Sequence, residues 1–317
     1  MLLETLQKLV TTTLQLPSKA ATTAPLLNNT DIEKLRHLAE RRTSHTPHSY
    51  EVEHRQYGDI RSVYRGYGLD YEESRIYQAG DEMRFMNWRL SARTNELYMK
   101  VFREERRPSV FILIDRRQPM RFGSNAILKA AQAARIATYL GLLAKQQNAP
   151  IGGVVLNETS DWIPESSGET GIYNLLNRVN SACPPLEDDA SELSLDHTLR
   201  LLLNMLVRGS IIYIVSDFHD LTEKSEPTLL QLSEEHQVHA VHVYDAIEKQ
   251  LPNAMGINIV DPKNNDGIYL DQNNLIQEQF QQRSRIHFHD IRKRFSQFNI
   301  PYTEISTETD NIDQLLS

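Results

Sequence analysis

Two aspartates each follow a run of core-type residues. Asp115 ends the run Val110–Ile114, and Asp217 comes directly after Ile211–Ser216. Apolar runs without polar alternation are typical of strands buried on both faces of a parallel sheet. Open α/β sheets bind ligands outside the carboxyl ends of their strands, so the two carboxylates are predicted to share one functional rim. A helix cap or a structural ion pair is the alternative role for each.

Arginines are concentrated after the first aspartate. Arg116, Arg117 and Arg121 precede Gly123-Ser124-Asn125, which leads into a predicted helix at Asn125–Gln146. Free amides at a helix N-terminus favour an anion, and three arginines would strengthen that preference.

Alternating strands and helices must position these groups. Further apolar strands are predicted at Ile151–Leu156 and Val238–Val243, and helical periods lie between them. This alternation predicts an α/β fold with a mostly parallel sheet flanked by helices on both faces. The chain is predicted to divide into three parts: an N-terminal arm, linker and short helix at 1–48, a segment rich in glycine, aromatic residues and arginine at 49–107, and the α/β domain at 108–317. Thr30 and Glu33 are predicted to form the capping box of the short helix.

The segment at 49–107 is predicted to be irregular and to contain short strands, because its glycines and aromatic residues follow no helical period. Its charged residues have two interpretations. Arginine–carboxylate pairs that hold the segment together are the first, since the planar guanidinium suits such pairs. A docking face is the second.

Composition excludes several classes of protein. The 317 residues carry a net charge of −8 and are 40% hydrophobic, which is typical of a globular protein and argues against general nucleic-acid binding. The single cysteine, Cys183, excludes an internal disulfide and is interpreted as a packed thiol in a reducing compartment. No stretch approaches the roughly 18 apolar residues that span a bilayer, and the first residues lack a signal-peptide pattern. We therefore expect a cytoplasmic protein without a membrane span.

The histidines are numerous enough for a metal site, but their spacing does not suit one. His236, His239 and His242 fall close together, but on a strand His239 and His242 face opposite sides, so packing is the favoured role. His287 and His289 fall on different faces of a predicted helix. Asp245 and Glu248 are expected to cap or pack, and no cofactor is expected.

Several ordered motifs carry a family resemblance. Tyr77-Gln78-Ala79-Gly80-Asp81-Glu82-Met83-Arg84 is followed by Asn87-Trp88, Ser91-Ala92-Arg93 and a strand-like run at Leu97–Phe102. Together with Ile114-Asp115, Ser216-Asp217-Phe218 and Tyr244–Glu248, these motifs resemble the DUF58 family, a group of von Willebrand factor A-like proteins often encoded beside MoxR-type AAA+ ATPases. The resemblance covers roughly residues 30 to 317. Its signature residues in the small segment are Tyr77, Gly80, Asp81, Arg84, Trp88, Ala92 and Arg93.

The resemblance implies a Rossmann-like domain with a metal-ion-dependent adhesion site, built from Asp-x-Ser-x-Ser, a Thr and a second Asp. Asp115 and Asp217 match, but Arg117 and Pro119 stand at the serine positions, and Ser191 and Ser194 are the nearest candidates for the Thr. Neither guanidinium nor proline is a magnesium ligand. A guanidinium about 4 Å from a divalent cation would repel it by roughly 8 kcal/mol at an effective dielectric near 20. We therefore expect a degenerate site in which Arg117 pairs with Asp115 or Asp217.

The resemblance implies a non-enzymatic interaction module that acts with a MoxR-type AAA+ ATPase in the assembly or activation of a client protein complex. The partner-binding residues are predicted as Asp115, Arg117 and Asp217, with Arg116 and Arg121. Arg117 would bind a partner's carboxylate directly, or the binding role has been lost. The alternatives are a metal-dependent hydrolase that uses Asp115 and Asp217, and polyanion binding by the arginine-rich segment, which the acidic net charge disfavours.

Overall fold

The computed structural model describes residues 24–43, 65–66, 70–78, 81–94, 96–103, 108–124, 127–183, 193–251, 257–260, 267–270, 274–310 and 312–316. The predicted N-terminal arm, Gly80 and Ser191 lie outside these residues. The chain forms two compact units, Met1–Thr46 with Pro108–Ser317, and Pro47–Arg107.

The helices and strands are numbered in chain order. The helices are α1 (Asn29–Thr43), α2 (Trp88–Thr94), α3 (Lys129–Gln146), α4 (Gly168–Val179), α5 (Leu195–Met205), α6 (Glu226–Glu235), α7 (Ala246–Lys249) and α8 (Asn274–Gln297). The strands are β1 (Arg65–Gly66), β2 (Asp70–Ile76), β3 (Tyr98–Arg103), β4 (Val110–Asp115), β5 (Ile151–Leu156), β6 (Ser160–Ser166), β7 (Ile211–Ser216), β8 (Gln237–Tyr244), β9 (Ile257–Val260), β10 (Gly267–Leu270) and β11 (Tyr302–Ser306). Short 3-10 turns lie at Met83–Phe85, Gln118–Arg121, Glu223–Ser225 and Ile312–Leu316.

A six-stranded sheet organises the larger unit, in the order β11-β8-β7-β4-β5-β6. All neighbouring strands are parallel except β6, which returns antiparallel to β5. The chain starts at the sheet centre with β4 and winds outward in both directions, so the carboxyl ends of β4 and β7 are adjacent. The predicted α/β fold, with a mostly parallel sheet flanked by helices, is confirmed.

Both faces of this sheet are buried at its central strands, because successive residues of a strand point to opposite faces. Every residue of β4, β5 and β7 is buried, as their apolar runs predict. One face forms a core with α5, α6 and α8 that includes Leu113, Ile214, Leu199, Leu229 and Phe295. Helices α3 and α4 pack against β4 and β5. A Cβ on Gly141 in α3 would lie 2.3 Å from Leu175 Cδ2 in α4, so glycine permits this close approach.

Helix α1 belongs to the same compact unit and packs against α3, where Leu35 and Ala39 are buried. It begins one residue before the predicted cap. Asn28 Oδ1 accepts from the Asp31 amide at 2.8 Å, and Asp31 Oδ2 accepts from the Asn28 amide at 3.3 Å. The predicted capping pair, Thr30 and Glu33, is therefore wrong, because a second pair with the same spacing lies at the true helix start.

The smaller unit contains an antiparallel sheet in the order β1-β3-β2. Met86 and Met99 are buried and form an isolated bridge between the 3-10 turn and β3. Arg75 binds both carboxylate oxygens of Asp81, at 2.8 and 2.5 Å, and Arg84 pairs with Glu82 at 2.5 Å. These contacts confirm the predicted arginine–carboxylate pairs for this segment. Among the described residues of both units, no helix is long and apolar enough to cross a bilayer.

Candidate functional site

The carboxyl-end rim of the large sheet holds a buried pair between Asp115 and Arg117. Asp115 ends β4 and is fully buried, and Arg117 is only 2% exposed. The Arg117 Nε donates to Asp115 Oδ1 at 3.0 Å and Nη2 donates to Oδ2 at 2.7 Å, while the Arg117 backbone amide also donates to Oδ1 at 3.0 Å. Ser216, at the end of β7, adds a hydroxyl donor to Oδ2 at 2.7 Å. Of the two partners predicted for Arg117, Asp115 is the one found.

A second carboxylate completes the surroundings of Arg117. Nη1 and Nη2 donate to Asp220 Oδ2 and Oδ1 at 2.5 and 2.9 Å, and Nη1 also donates to the Leu193 carbonyl at 3.4 Å. All five guanidinium N–H groups are thereby bound within the chain. Burial opposes the charged form of Arg117, but Asp115 and Asp220 outweigh it and raise its pKa. A partner's carboxylate would have to displace one of these pairs to reach Arg117.

The second rim aspartate has a different cation. Lys129, the first residue of α3, is 1% exposed and donates from Nζ to Asp217 Oδ2 at 3.0 Å and to Glu248 Oε1 at 2.6 Å. Burial opposes its charge, but Asp217 and Glu248 raise the pKa of Lys129. Burial alone would raise the pKa of Asp217, yet Lys129 and His219 hold it well below its usual value. Burial raises the pKa of Glu248.

His219 is the most exposed member of this cluster. Its Nδ1 lies 2.9 Å from Asp217 Oδ1, and 27% of its side chain is exposed. Burial opposes protonation, but the Asp217 carboxylate raises the pKa of His219. The preceding residue, Phe218, has a φ of 54°, and its buried ring packs edge-on against Phe295 at 4.8 Å. This packing holds a backbone conformation that non-glycine residues seldom adopt.

Asp245 is a capping residue, as predicted. It forms a capping box with Glu248 at the start of α7. Its carboxylate also accepts from the Ser124 amide at 2.9 Å, the Ser124 hydroxyl at 2.5 Å and the Thr307 hydroxyl at 2.9 Å. Glu248 thus both caps α7 and binds Lys129, and the second role was not predicted.

The two other arginines point away from the aspartates. Arg116 donates to the Ser181 hydroxyl at 2.7 Å and to the carbonyls of Ser181 and Ala182 at 2.8 and 2.7 Å. Arg121 donates from Nε to the Arg116 carbonyl at 2.9 Å and lies 3.4 Å from Glu158. The prediction that three arginines converge on one anion at a helix N-terminus is wrong, since each guanidinium binds a different part of the chain.

Six residues with contacts at the rim were not predicted as site residues from the sequence: Lys129, Ser216, His219, Asp220, Ser124 and Thr307. Lys129 carries a signal, because it opens a helix that is otherwise alanine-rich and buried over most of its length. Of the candidates for the Thr position, Ser194 caps α5 by accepting from the His197 amide at 3.2 Å. Asp220, rather than Ser194, contacts Arg117.

These residues do not fit the magnesium ion that the resemblance implies. Both oxygens of Asp115 already accept hydrogen bonds from Arg117, and Asp217 is bound to Lys129. Pro119 is buried at the start of the 3-10 turn and offers no side-chain ligand. A hard divalent cation would face one guanidinium and one ammonium.

The histidines in β8 and just before it pack apart from this cluster. His242 is buried, lies 2.5 Å from the Tyr302 hydroxyl and stacks on Phe288 at 4.7 Å. His239 stacks on Tyr213 at 4.9 Å. His236 is buried, and neither ring nitrogen has a hydrogen-bond partner within the described part of the chain. The predicted packing role is confirmed, and Cys183 is a buried free thiol as predicted.

Comparison with known proteins identifies the family. Residues 73–290 match the family model described as "Protein of unknown function DUF58". The chain belongs to the DUF58 family. Uncharacterized proteins of Mycobacterium bovis and Mycobacterium tuberculosis are 22% identical over 255 residues, covering 80% of each chain.

Solved structures show more distant similarity to this DUF58 protein. The conserved hypothetical protein BatB from Bacteroides thetaiotaomicron is 14% identical, with a TM-score of 0.40 over 66% of this chain and 94% of that one. An aerotolerance-related membrane protein from Bacteroides fragilis is 14% identical, with a TM-score of 0.44 over 66% and 95%. A von Willebrand factor type A protein from Catenulispora acidiphila is 9% identical, with a TM-score of 0.34 over 47% and 35%.

The signature residues of this DUF58 chain divide into two groups. Tyr77 and Asp81 have structural contacts, since the Tyr77 amide donates to the Leu97 carbonyl at 2.8 Å and Asp81 binds Arg75. Arg84, Trp88, Ala92 and Arg93 are exposed. The second group is therefore on the surface of the small unit.

Proposed function

We propose that this DUF58 protein is a non-enzymatic protein-interaction module that acts with a MoxR-type AAA+ ATPase in the assembly or activation of a protein complex in the cytoplasm. Its sheet rim is a degenerate metal-ion-dependent adhesion site. The observation that carries the proposal is that each rim aspartate is held by a buried cation of the chain itself, Asp115 by Arg117 and Asp217 by Lys129.

This arrangement disfavours a hydrolase. A carboxylate that acts as a nucleophile or a metal ligand needs an available oxygen lone pair and its negative charge. In Asp115 and Asp217 both are engaged by internal donors. Opening either pair would leave a charge buried without its partner, which costs about 3–5 kcal/mol.

The rim still provides a surface for a partner. His219 and Asp220, with side chains 27% and 25% exposed, are its solvent-facing members. Asp115, Arg117 and Asp217 hold these two side chains in place. Arg116 binds the segment at Ser181 and Ala182, and Arg121 binds the Arg116 carbonyl, so both hold the loop that follows Asp115. In this proposal the five residues Asp115, Arg116, Arg117, Arg121 and Asp217 position the rim, and a partner meets it at His219 and Asp220.

Affinity purification from native lysate, with and without ATP, tests the partner. We expect a MoxR-type ATPase to be enriched with the unmodified chain and reduced with His219→Ala/Asp220→Asn, a pair of changes that removes one basic and one acidic side chain from the rim. Tyr173→Ala, at a residue 67% exposed, is the control. If no AAA+ ATPase is enriched in either nucleotide state, the partner part of the proposal is wrong. Metal-dependent hydrolysis by the purified chain, abolished in a folded Asp115→Asn variant, would establish the enzyme instead.

Manganese binding tests the degenerate site. Replacing Arg117→Ser together with Pro119→Ser restores the two hydroxyls of the implied motif and removes the guanidinium. We expect manganese binding by titration calorimetry for this double variant and none for the unmodified chain, with Arg294→Ser as the control for loss of an arginine elsewhere. Equal manganese affinity in the unmodified and double-variant proteins would contradict the degenerate site.

A further inference from the structure

The small unit exposes large apolar side chains. Trp88, Met83, Ile76 and Leu97 are 61%, 59%, 58% and 47% exposed. Isolated exposed apolar residues are common, but a tryptophan that is mostly exposed is not, because its ring buries a large apolar area when it packs. Four such residues in so short a segment suggest a contact surface.

Backbone hydrogen bonds bring Ile76, Leu97 and Trp88 to one end of the small sheet. Ile76 pairs with Tyr98, and the Tyr77 amide donates to the Leu97 carbonyl at 2.8 Å. The Asn87 amide donates to the Tyr98 carbonyl at 2.7 Å, which places Trp88 and the start of α2 beside the same strand end. These three exposed apolar residues therefore belong to one region.

The same region carries two cations that have no partner within the part of the chain that the structure describes. Arg89 and Arg93, four residues apart on α2, are exposed, and neither has an ion pair or hydrogen bond among the described residues. The neighbouring carboxylates of Asp81 and Glu82 are already paired with Arg75 and Arg84. We call the exposed residues Trp88, Arg89, Ala92 and Arg93 the signature face.

We propose that the signature face binds an acidic segment of a partner protein, with Trp88 in an apolar pocket of that partner and Arg89 and Arg93 on its carboxylates. The inference rests on the proposed interaction function and locates a contact of that function. Tryptophan and arginine are the residue types that most often dominate binding energy at interfaces. Charge complementarity requires acidic groups opposite the two guanidinium groups.

A nucleic acid fits this surface less well. Nonspecific single-strand binding uses a groove of cations that follows the backbone. Here the two arginines stand four residues apart on one short helix, and the exposed carboxylate of Glu96 follows them in the chain and would disfavour a phosphate close by. Acidic side chains of a protein can be placed on the two guanidinium groups alone, whereas binding a continuous phosphate chain needs further cations along its path.

Site-specific photo-crosslinking in the full chain tests the face. A benzophenone amino acid replaces Trp88 in one protein and Tyr173 in a control, and adducts formed in native lysate with ATP are sequenced. We expect position 88 to crosslink to a partner segment rich in Asp and Glu. Combining the crosslinker with Arg89→Glu/Arg93→Glu should reduce the yield about tenfold, equivalent to roughly 1.4 kcal/mol, while Arg285→Glu, at another exposed arginine, should not.

Several outcomes would overturn the inference. Adducts only to this chain itself, adducts to nucleic acid, the absence of adducts, or a yield unaffected by the charge reversal would each do so. An acidic partner segment that is not from an AAA+ ATPase would support the face and contradict the proposed partner. Enrichment of the ATPase without crosslinking from position 88 would support the proposed function and contradict the face. Circular dichroism melting curves establish that each variant is folded.

Discussion

The sheet rim and the signature face are both rich in arginine, but they use it in opposite ways. In the rim, Arg117 is 2% exposed and all its donors are bound within the chain. On the signature face, Arg89 and Arg93 are exposed and have no partner among the described residues. A buried charge without a partner costs several kcal/mol, so a buried arginine must be paired, whereas an exposed arginine stays available. Environment, rather than residue type, separates structural from binding cations.

The strongest test of this contrast removes the rim lysine. Lys129→Met leaves Asp217 and Glu248 buried without their cation, and we expect the free energy of unfolding to fall by about 3–5 kcal/mol in urea titrations. Lys145→Met removes an exposed pair with Glu169 from the other end of the same helix. Its effect should be far smaller, because water and salt screen that pair.

The pH response identifies the reason for the loss. Without Lys129, the two carboxylates are most destabilising when they are charged, so the deficit relative to the unmodified chain should shrink as they become protonated between pH 7 and 4. A deficit that does not depend on pH would mean that lost packing by the lysine stem, rather than unpaired charge, explains the effect.

The histidines extend the comparison from the rim to the core. Burial among Phe288, Phe218 and Tyr302 lowers the pKa of His242 to about 3. Below about pH 6.5, His242 is protonated in the unfolded chain but stays neutral in the native state. The free energy of unfolding therefore falls by about 1.4 kcal/mol for each pH unit of acidification below pH 6.5. His242→Gln should remove about this slope between pH 6 and 4, as measured by denaturant titration at each pH. An unchanged slope would show that His242 is protonated in the native protein.

His219 should behave in the opposite sense. Its pKa is raised by Asp217, so its contribution to stability is complete below about pH 6.5 and is lost as pH rises through the native pKa. His219→Gln should therefore destabilise the protein more at pH 5 than at pH 9. NMR titration of the His219 ring provides the direct measurement, and a native pKa below that of an unfolded histidine would contradict the assignment.

Arg117→Lys tests geometry at constant charge. An ammonium cannot reproduce the fork that joins Asp115 to Asp220, so we expect a loss of about 1–3 kcal/mol from unsatisfied carboxylate oxygens. Arg294 makes one hydrogen bond to Glu226, at 2.6 Å, which a lysine can replace. Arg294→Lys should change stability much less. Equal losses in urea titration would mean that the two-carboxylate geometry contributes nothing.

The sequence predicts the elements of the rim better than its pairings. Unbroken apolar runs locate β4 and β7 because burial on both faces leaves no place for polar residues, and the aspartates mark their ends. The cations are different. Lys129 meets Asp217 across 88 residues, and Arg117 meets Asp220 across 103. The period of the hydrophobic residues carries no information about such contacts. The local pattern therefore predicted a helix over 125–146, but it did not predict that Lys129, at the true start of this helix, pairs with Asp217.

The error in the predicted cap of α1 follows from the same limit at short range. Two overlapping pairs with capping-box spacing lie at the start of α1, and only the position of the helix start selects Asn28 and Asp31. The predicted structural pairs of the small unit were found because arginine and carboxylate lie close in sequence, as in Arg75 and Asp81. Sequence reasoning succeeds where chain proximity limits the possible partners.

The smallest expected effect is on the signature face. Trp88→Ala and Arg93→Ala should each change the free energy of unfolding by no more than about 0.5 kcal/mol, since surface substitutions away from packed groups rarely do more. Met99→Ala, at a residue 4% exposed in the adjacent strand, provides the comparison and should cost about 2–5 kcal/mol. A loss above about 1 kcal/mol for Trp88→Ala would place this side chain in the packing of the chain itself, because an exposed ring has little burial to lose. The cations beside Trp88 would then belong to a packed structural region, as Arg117 and Lys129 do in the rim, and the contrast between the two sets of cations would fail.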